Sequence, residues 1–203
     1  MKIKEIYKDR FYTFLFIIVV LYLLFMIGIL SQASTMYELK ADKRVVDMSA
    51  KILAQQVGVK EVGNNTGVEV ERYLTSVGLR AGNAYCYAGQ YYCLQQAALI
   101  LNSYVPIKRT GNCQIAYMDA MKRGKQVPFV PRVNVLTIWR LGVTMSGHAG
   151  RIVKVLGMGW VYTIEFNTGL NAREGSGVEL KKRQLTNPLA RMKLRGIISF
   201  RGV

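Results

Sequence analysis

Apolar residues are distributed along this chain in three distinct patterns. Residues 11–30, FYTFLFIIVVLYLLFMIGIL, form an uncharged run of twenty residues. As a helix rising ~1.5 Å per residue it would be roughly 30 Å long, the thickness of a bilayer's hydrocarbon core. A helix of a small domain is apolar on one stripe rather than all round. The run therefore predicts a transmembrane signal-anchor, with residues 1–10 as a basic cytoplasmic tail, because Lys2, Lys4, Lys8 and Arg10 outnumber Glu5 and Asp9. The alternative is a cleaved signal peptide ending at the small residues Ser31–Ala33, although the apolar run exceeds the usual core of ~7–15 residues. Both readings export the remainder of the chain.

Residues 31–44 are polar and predict a stalk, and residues 45–203 a single domain. Its first part carries helical spacing. Val46, Met48, Ile52, Leu53 and Val57 line one face of a helix over 45–59, and the GNNTG stretch at 63–67 ends it. Further helices are predicted over 68–79, 86–103 and 113–125. From Val127 onward the pattern changes to short β-branched and aromatic runs between glycine turns, at 133–140, 148–157, 159–168, 177–185 and 195–200. Helices followed by an antiparallel sheet make an α+β plan.

Charge narrows the set of partners. Residues 51–203 hold 21 basic and 7 acidic residues, a net +14, which favours a polyanion. For an exported domain nucleic acid is not expected, and an anionic membrane face or an acidic wall polymer comes first. Three cysteines allow at most one disulfide, so at least one thiol stays free. No C-x-x-C pair is present, and a single histidine with scattered cysteines makes a poor zinc site, so neither a metal nor a cofactor is expected.

Cys86 stands where a Gly/Asn-containing loop becomes a helix. The free N–H groups there lower a thiol's pKa and can serve as an oxyanion hole. Cys93 lies two turns on, with its α-carbon ~10 Å away, too far for a disulfide, and is assigned to the core. Cys113 opens the next helix without a companion motif and is assigned a structural role. His148, the single histidine, begins a strand. A thiolate nucleophile needs such a base, and the base needs an acceptor on its other ring nitrogen. Glu165 and Asn167, two apart on the next strand, are candidates on one sheet face. A solvated strand residue and a turn former are the alternative roles for these two.

Three segments, AYCYAGQYYCLQQAAL (84–99), SGHAGRIVKVLGMGWVYTIEFNTG (146–169) and REGSGVELKKRQL (173–185), resemble a phage- and bacterial-type CHAP domain. CHAP domains are cysteine, histidine-dependent amidohydrolases/peptidases that cut peptidoglycan. The resemblance covers roughly residues 50–200 and implies a papain-like/NlpC-type fold. It further implies Cys86 as nucleophile, His148 as base, Glu165 as its orienting carboxylate and Asn167 completing the site. Tyr85 or the backbone beside it would supply an oxyanion donor. Phe166 stands where the family has glycine, and Ala149 where it usually has valine. The acidic calcium cluster of some members is absent.

The function expected from the resemblance is a membrane-anchored peptidoglycan hydrolase, a muramoyl-L-alanine amidase or a peptide endopeptidase. It would sit in the cytoplasmic membrane through residues 11–30 and face the periplasm or cell exterior, in a secretion, conjugation or phage-lysis setting. A non-catalytic wall- or polyanion-binding module and a cysteine protease or acyltransferase of related fold are the alternatives.

Overall fold

The structure is a computed structural model and describes residues 12–21, 34–169 and 177–202. The chain divides into two units, Met1–Ala33 and Ser34–Val203. In the first unit the described residues form one helix, α1, over 12–21. Among the described residues no helix is long and apolar enough to cross a membrane. This corrects the expected transmembrane helix over 11–30 and the single-pass membrane localisation built on it. Residues 11 and 22–30 of that run lie outside the described residues.

The second unit begins with a strand. β1 (Thr35–Ala41) is followed by α2 (Lys43–Gln55), α3 (Val68–Ser76), α4 (Cys86–Ile100) and α5 (Cys113–Arg123). Then come β2 (Lys125–Val127), β3 (Leu136–Leu141), β4 (Gly147–Gly157), β5 (Trp160–Thr168), β6 (Gly177–Gln184) and β7 (Met192–Gly202). All seven strands form one sheet in the order β2-β1-β7-β3-β4-β5-β6. β1 runs parallel to β7, with Thr35 opposite Gly196, while every other neighbouring pair is antiparallel.

The expected architecture, helices on a wholly antiparallel sheet in a papain-like/NlpC-type fold behind a membrane helix, is corrected accordingly. The sheet is mixed, and its parallel strand comes from residues expected as stalk. The physical reason is non-local. TMYELKA has no run of β-branched residues, and its ladder partner lies at the far end of the sequence.

Local chemistry sets the helix ends. Asp42 caps α2 by accepting from the Arg44 backbone N–H at 2.9 Å. Glu69 and Glu71 in the first turn of α3 complement the helix dipole. α4 is apolar almost all round, as a central helix must be, and α2 and α3 both pack against it. Its inner face joins Tyr87, Leu94 and Ala97 to Leu136, Ile138, Ala149 and Ile198 of the sheet. One step along the same strands, Trp139 and Ile197 belong to a separate cluster with Met36, Ile152 and Val161. Both faces of the central strands therefore carry an apolar core.

Two polar ties fix the helices on the sheet. The buried Arg151 of β4 donates to Val46 O at 3.2 Å and Ser49 Oγ at 2.9 Å on α2. Gln90 of α4 donates to Ile164 O of β5 at 3.0 Å. Beside that bond Gly89 faces the Phe166 ring, and a β-carbon at Gly89 would meet ring atoms at 2.1 Å.

Gly89→Ala is thus expected to destabilise the unit by about 1–3 kcal/mol through overpacking, although alanine is the better helix former by ~1 kcal/mol. Urea denaturation measures it, and adding Phe166→Leu should return part of the loss. Additive effects of the two changes would refute the contact.

Candidate active site

Cys86 is the first residue of α4, and Tyr85 at the cap position makes no side-chain capping hydrogen bond. The first N–H groups of a helix have no partner within it, so those beside the Cys86 sulfur remain available as donors. At α5 the situation differs. Asn112 caps that helix, its Oδ1 accepting from Gln114 N at 2.8 Å and Ile115 N at 3.2 Å. Cys113, the first residue of α5, therefore stands beside two N–H groups that are occupied, although its own backbone N–H still favours its thiolate. Both helices begin with a cysteine, and only α5 has a side-chain cap.

His148 lies at the start of β4, opposite Trp139 on β3. Its Nε2 is 3.0 Å from Glu165 Oε2. With that nitrogen committed, Nδ1 is left for the Cys86 thiol, and the thiol and the imidazole act on each other's ionisation. The glycines around the histidine have separate steric reasons. A β-carbon at Gly150 would meet Glu165 Cγ at 2.9 Å, so glycine there leaves room for the carboxylate to reach His148. A β-carbon at Gly147 would meet Gln114 Nε2 and Trp139 O, both at 2.2 Å, so glycine there lets α5 close onto the strand.

Glu165 is fully buried, and its carboxylate accepts four hydrogen bonds. Arg183 of β6 donates from Nε to Oε1 at 2.8 Å and from Nη2 to Oε2 at 2.5 Å. Thr163 Oγ1 donates to Oε1 at 2.6 Å, and His148 Nε2 to Oε2. Burial opposes the carboxylate charge, yet the Arg183 and His148 hydrogen bonds and charges hold Glu165 at about 2, below its ordinary 4.5. Burial likewise opposes the imidazolium, but its bonds to Cys86 and Glu165 raise His148 to about 10. The imidazole is thereby kept as a cation facing the thiol.

The Cys86 and Cys113 thiols also act on each other's ionisation. Cys113 and burial push Cys86 up, while His148 pulls it back. Cys86 pulls Cys113 down against its own burial, helped by a bond from Gln114 Nε2 at 3.4 Å. Cys113 is thereby the more acidic thiol of the two.

Both cysteines line a cleft of about 380 Å³ together with Ala84, Asn112 and Ser146. His148 lines a second, smaller one of about 130 Å³ with Asn167, Arg183 and Met192.

Cys86, His148 and Glu165 are therefore brought together in the order expected from the sequence. Asn167 is near but differently placed. It has a positive φ of 52° at a register shift between Phe166 and Thr168, so the strict alternation with Glu165 breaks there. The Tyr85 ring is buried, its hydroxyl donating to Glu61 Oε2 at 3.3 Å and bonded to the Asn167 backbone. Tyr85 thus braces the Asn167 bulge, and any oxyanion donor at this helix start is a backbone N–H.

Arg183, Thr163, Cys113 and Gln114 were not singled out as site residues by sequence reasoning. Arg183 and Glu165 stand on neighbouring strands, but their pairing depends on the β5–β6 register, which no local pattern reveals. Among the described residues no group of three or more His, Cys, Asp or Glu is placed to hold a metal ion. Comparison with family models, curated proteins and solved structures finds no match to this chain.

Two outcomes follow from this geometry. His148→Ala should slow alkylation of Cys86 by iodoacetamide about tenfold or more near neutral pH, because the thiolate loses its cation. Peptide mapping would read the rate at Cys86, and an unchanged rate would detach the histidine from the thiol.

Glu165 is lowered from 4.5 to about 2, so the stability it contributes is complete above about pH 4.5 and is lost as pH falls through about 2. Arg183→Gln should cost about 3 kcal/mol by leaving a buried carboxylate underpaired. It should also move the acid limb of urea stability to higher pH, and an unmoved limb would refute the pairing.

Proposed function

We propose that the Ser34–Val203 unit is a cysteine hydrolase that cleaves an amide bond of peptidoglycan. The carrying observation is the 3.0 Å bond from the His148 ring to the buried Glu165 carboxylate, with the ring's other nitrogen left for the Cys86 thiol that acts on its ionisation. A histidine held between a thiol and a clamped carboxylate is the arrangement that thiol-based acyl transfer requires.

The steps use groups already in place. The Cys86 thiolate attacks the amide carbonyl carbon from the larger cleft, and the developing oxyanion takes hydrogen bonds from the uncapped N–H groups that open α4. His148 gives its Nδ1 proton to the amine as the C–N bond breaks, leaving a thioester on Cys86. Water then attacks that thioester while His148 takes a water proton. Collapse of the second tetrahedral species releases the carboxylic acid and the Cys86 thiolate, and the imidazolium is restored. Glu165 stays ionised throughout, orienting the ring and balancing its charge.

Two features support a wall substrate. The sequence around Cys86, His148 and Glu165 resembles the CHAP family, and residues 51–203 carry the net +14 that suits an acidic polymer. The scissile bond is either the muramoyl–L-alanine amide or a peptide amide of the stem or cross-bridge.

Incubation of the purified protein with murein, with new termini identified by mass spectrometry, tests the proposal. Freed muramic acid identifies an amidase, and a new amine within the peptide an endopeptidase. Cys86→Ser and His148→Ala should each lower product release by about a thousandfold or more. Release undiminished in both variants would sink the mechanism. Binding to murein without any product, under conditions where a control hydrolase works, would make the unit a wall-binding module instead.

A further inference from the structure

Cys113 has no part in the relay, yet it shares a cleft with Cys86, and the two thiols act on each other's ionisation. Each cysteine opens a helix, α4 and α5 respectively, and both line the same cleft. Cys113 is also pressed against the strand that carries His148, since a β-carbon at Gly147 would lie 3.1 Å from Cys113 Sγ. Cys93, the third thiol, is buried in a different cluster with Tyr73, Phe166 and Val178. All three thiols are free.

We propose that Cys86 and Cys113 form a reversible dithiol–disulfide pair, with Cys113 as the resolving thiol that protects and switches off Cys86. The co-reactant is a hydroperoxide. The thiolate of one of the two attacks the distal peroxide oxygen and the O–O bond breaks. The leaving alkoxide, or hydroxide from hydrogen peroxide itself, takes up a proton.

The product is a sulfenic acid on one sulfur. The other thiol, giving up its proton, attacks the sulfenic sulfur, the S–O bond breaks and water leaves with that proton. Two thiols and one hydroperoxide thus yield one disulfide, one alcohol or water, and one water. The two electrons come from the sulfurs and reduce the O–O bond. An exchange with a small thiol reverses the change.

The bridge would take away the nucleophile that the proposed hydrolase uses, so its regulatory meaning rests on that reading. Its formation does not. A thiolate formed on either sulfur starts it, and the second thiol in the same cleft shortens the life of the sulfenic acid before further oxidation.

The test treats the reduced full-length protein with a slight excess of hydrogen peroxide and maps peptides without reduction. The expected product is one peptide pair joined through Cys86 and Cys113, with Cys93 still free and dithiothreitol restoring both thiols. Cys93→Ser should form the same bridge. Cys113→Ser and Cys113→Ala, checked for folding by circular dichroism, should instead carry Cys86 on to the sulfinic acid, which dithiothreitol does not reverse.

A wild-type protein that gives Cys86 sulfinic acid beside a free Cys113 would overturn the proposal, as would a bridge to Cys93. Murein assays on the same samples separate the two readings. Peroxide should abolish product release and dithiothreitol restore it in the wild type, but not in the Cys113 variants. A mapped bridge in a protein that never cleaves murein would sustain the thiol pair and remove the hydrolase reading.

Discussion

The rest of the site depends on a carboxylate that is kept ionised where no water reaches it. Glu165 is fully buried, and an isolated buried carboxylate would take up a proton. It stays charged because Arg183 grips both of its oxygens while Thr163 and His148 take the remaining positions. Charges then alternate outward from guanidinium to carboxylate to imidazolium, whose far side is left for the Cys86 thiol. Each member lowers the cost of its neighbour's charge, so the setting of that thiol reaches back to a guanidinium.

The two helices that reach this line are treated differently at their ends. Asn112 spends its side chain on the N–H groups of α5, whereas Tyr85 leaves those of α4 open and turns its hydroxyl to Glu61 and the Asn167 backbone. A polar side chain at position 85 could cap α4 and gain local stability, but it would occupy the donors that an oxyanion needs. One helix start is secured by a side-chain cap and the other is left without one.

Much of this was legible in the sequence, for reasons that can be named. α2 to α5 and β3 to β7 lie close to where apolar spacing and glycine turns put them, because those patterns are local. Cys86, His148 and Glu165 could be singled out as candidates because a thiol, an imidazole and a carboxylate in that order are scarce residue types in this chain.

What was missed is long-range. β1 is a strand because β7 and β2 pair with it, and Arg183 meets Glu165 only through the β5–β6 register. The meeting of Cys113 and Cys86 in one cleft requires two helix starts to converge, and spacing of 27 positions says nothing about that. Asn167 was placed on Glu165's face by an alternation that a bulge interrupts. Phe166, bulky where the resemblance leads one to expect glycine, is accommodated from the other side. Gly89 on α4 supplies the missing space, so the small residue has moved from the strand to the helix that faces it.

The parallel pairing of β1 with β7 has a consequence for when this site can exist at all. β7 joins β1 and β2 on one side to β3 and its successors on the other, so until it is in place the sheet is two fragments with open edges. Thr35 waits for Gly196, and a ribosome delivers one long after the other. The cysteine, the histidine and the carboxylate are all synthesised before the strand that closes the sheet beneath them. A nascent chain therefore carries every reactive group of the site while lacking its frame, and competence arrives with the closing strand rather than with the last reactive residue.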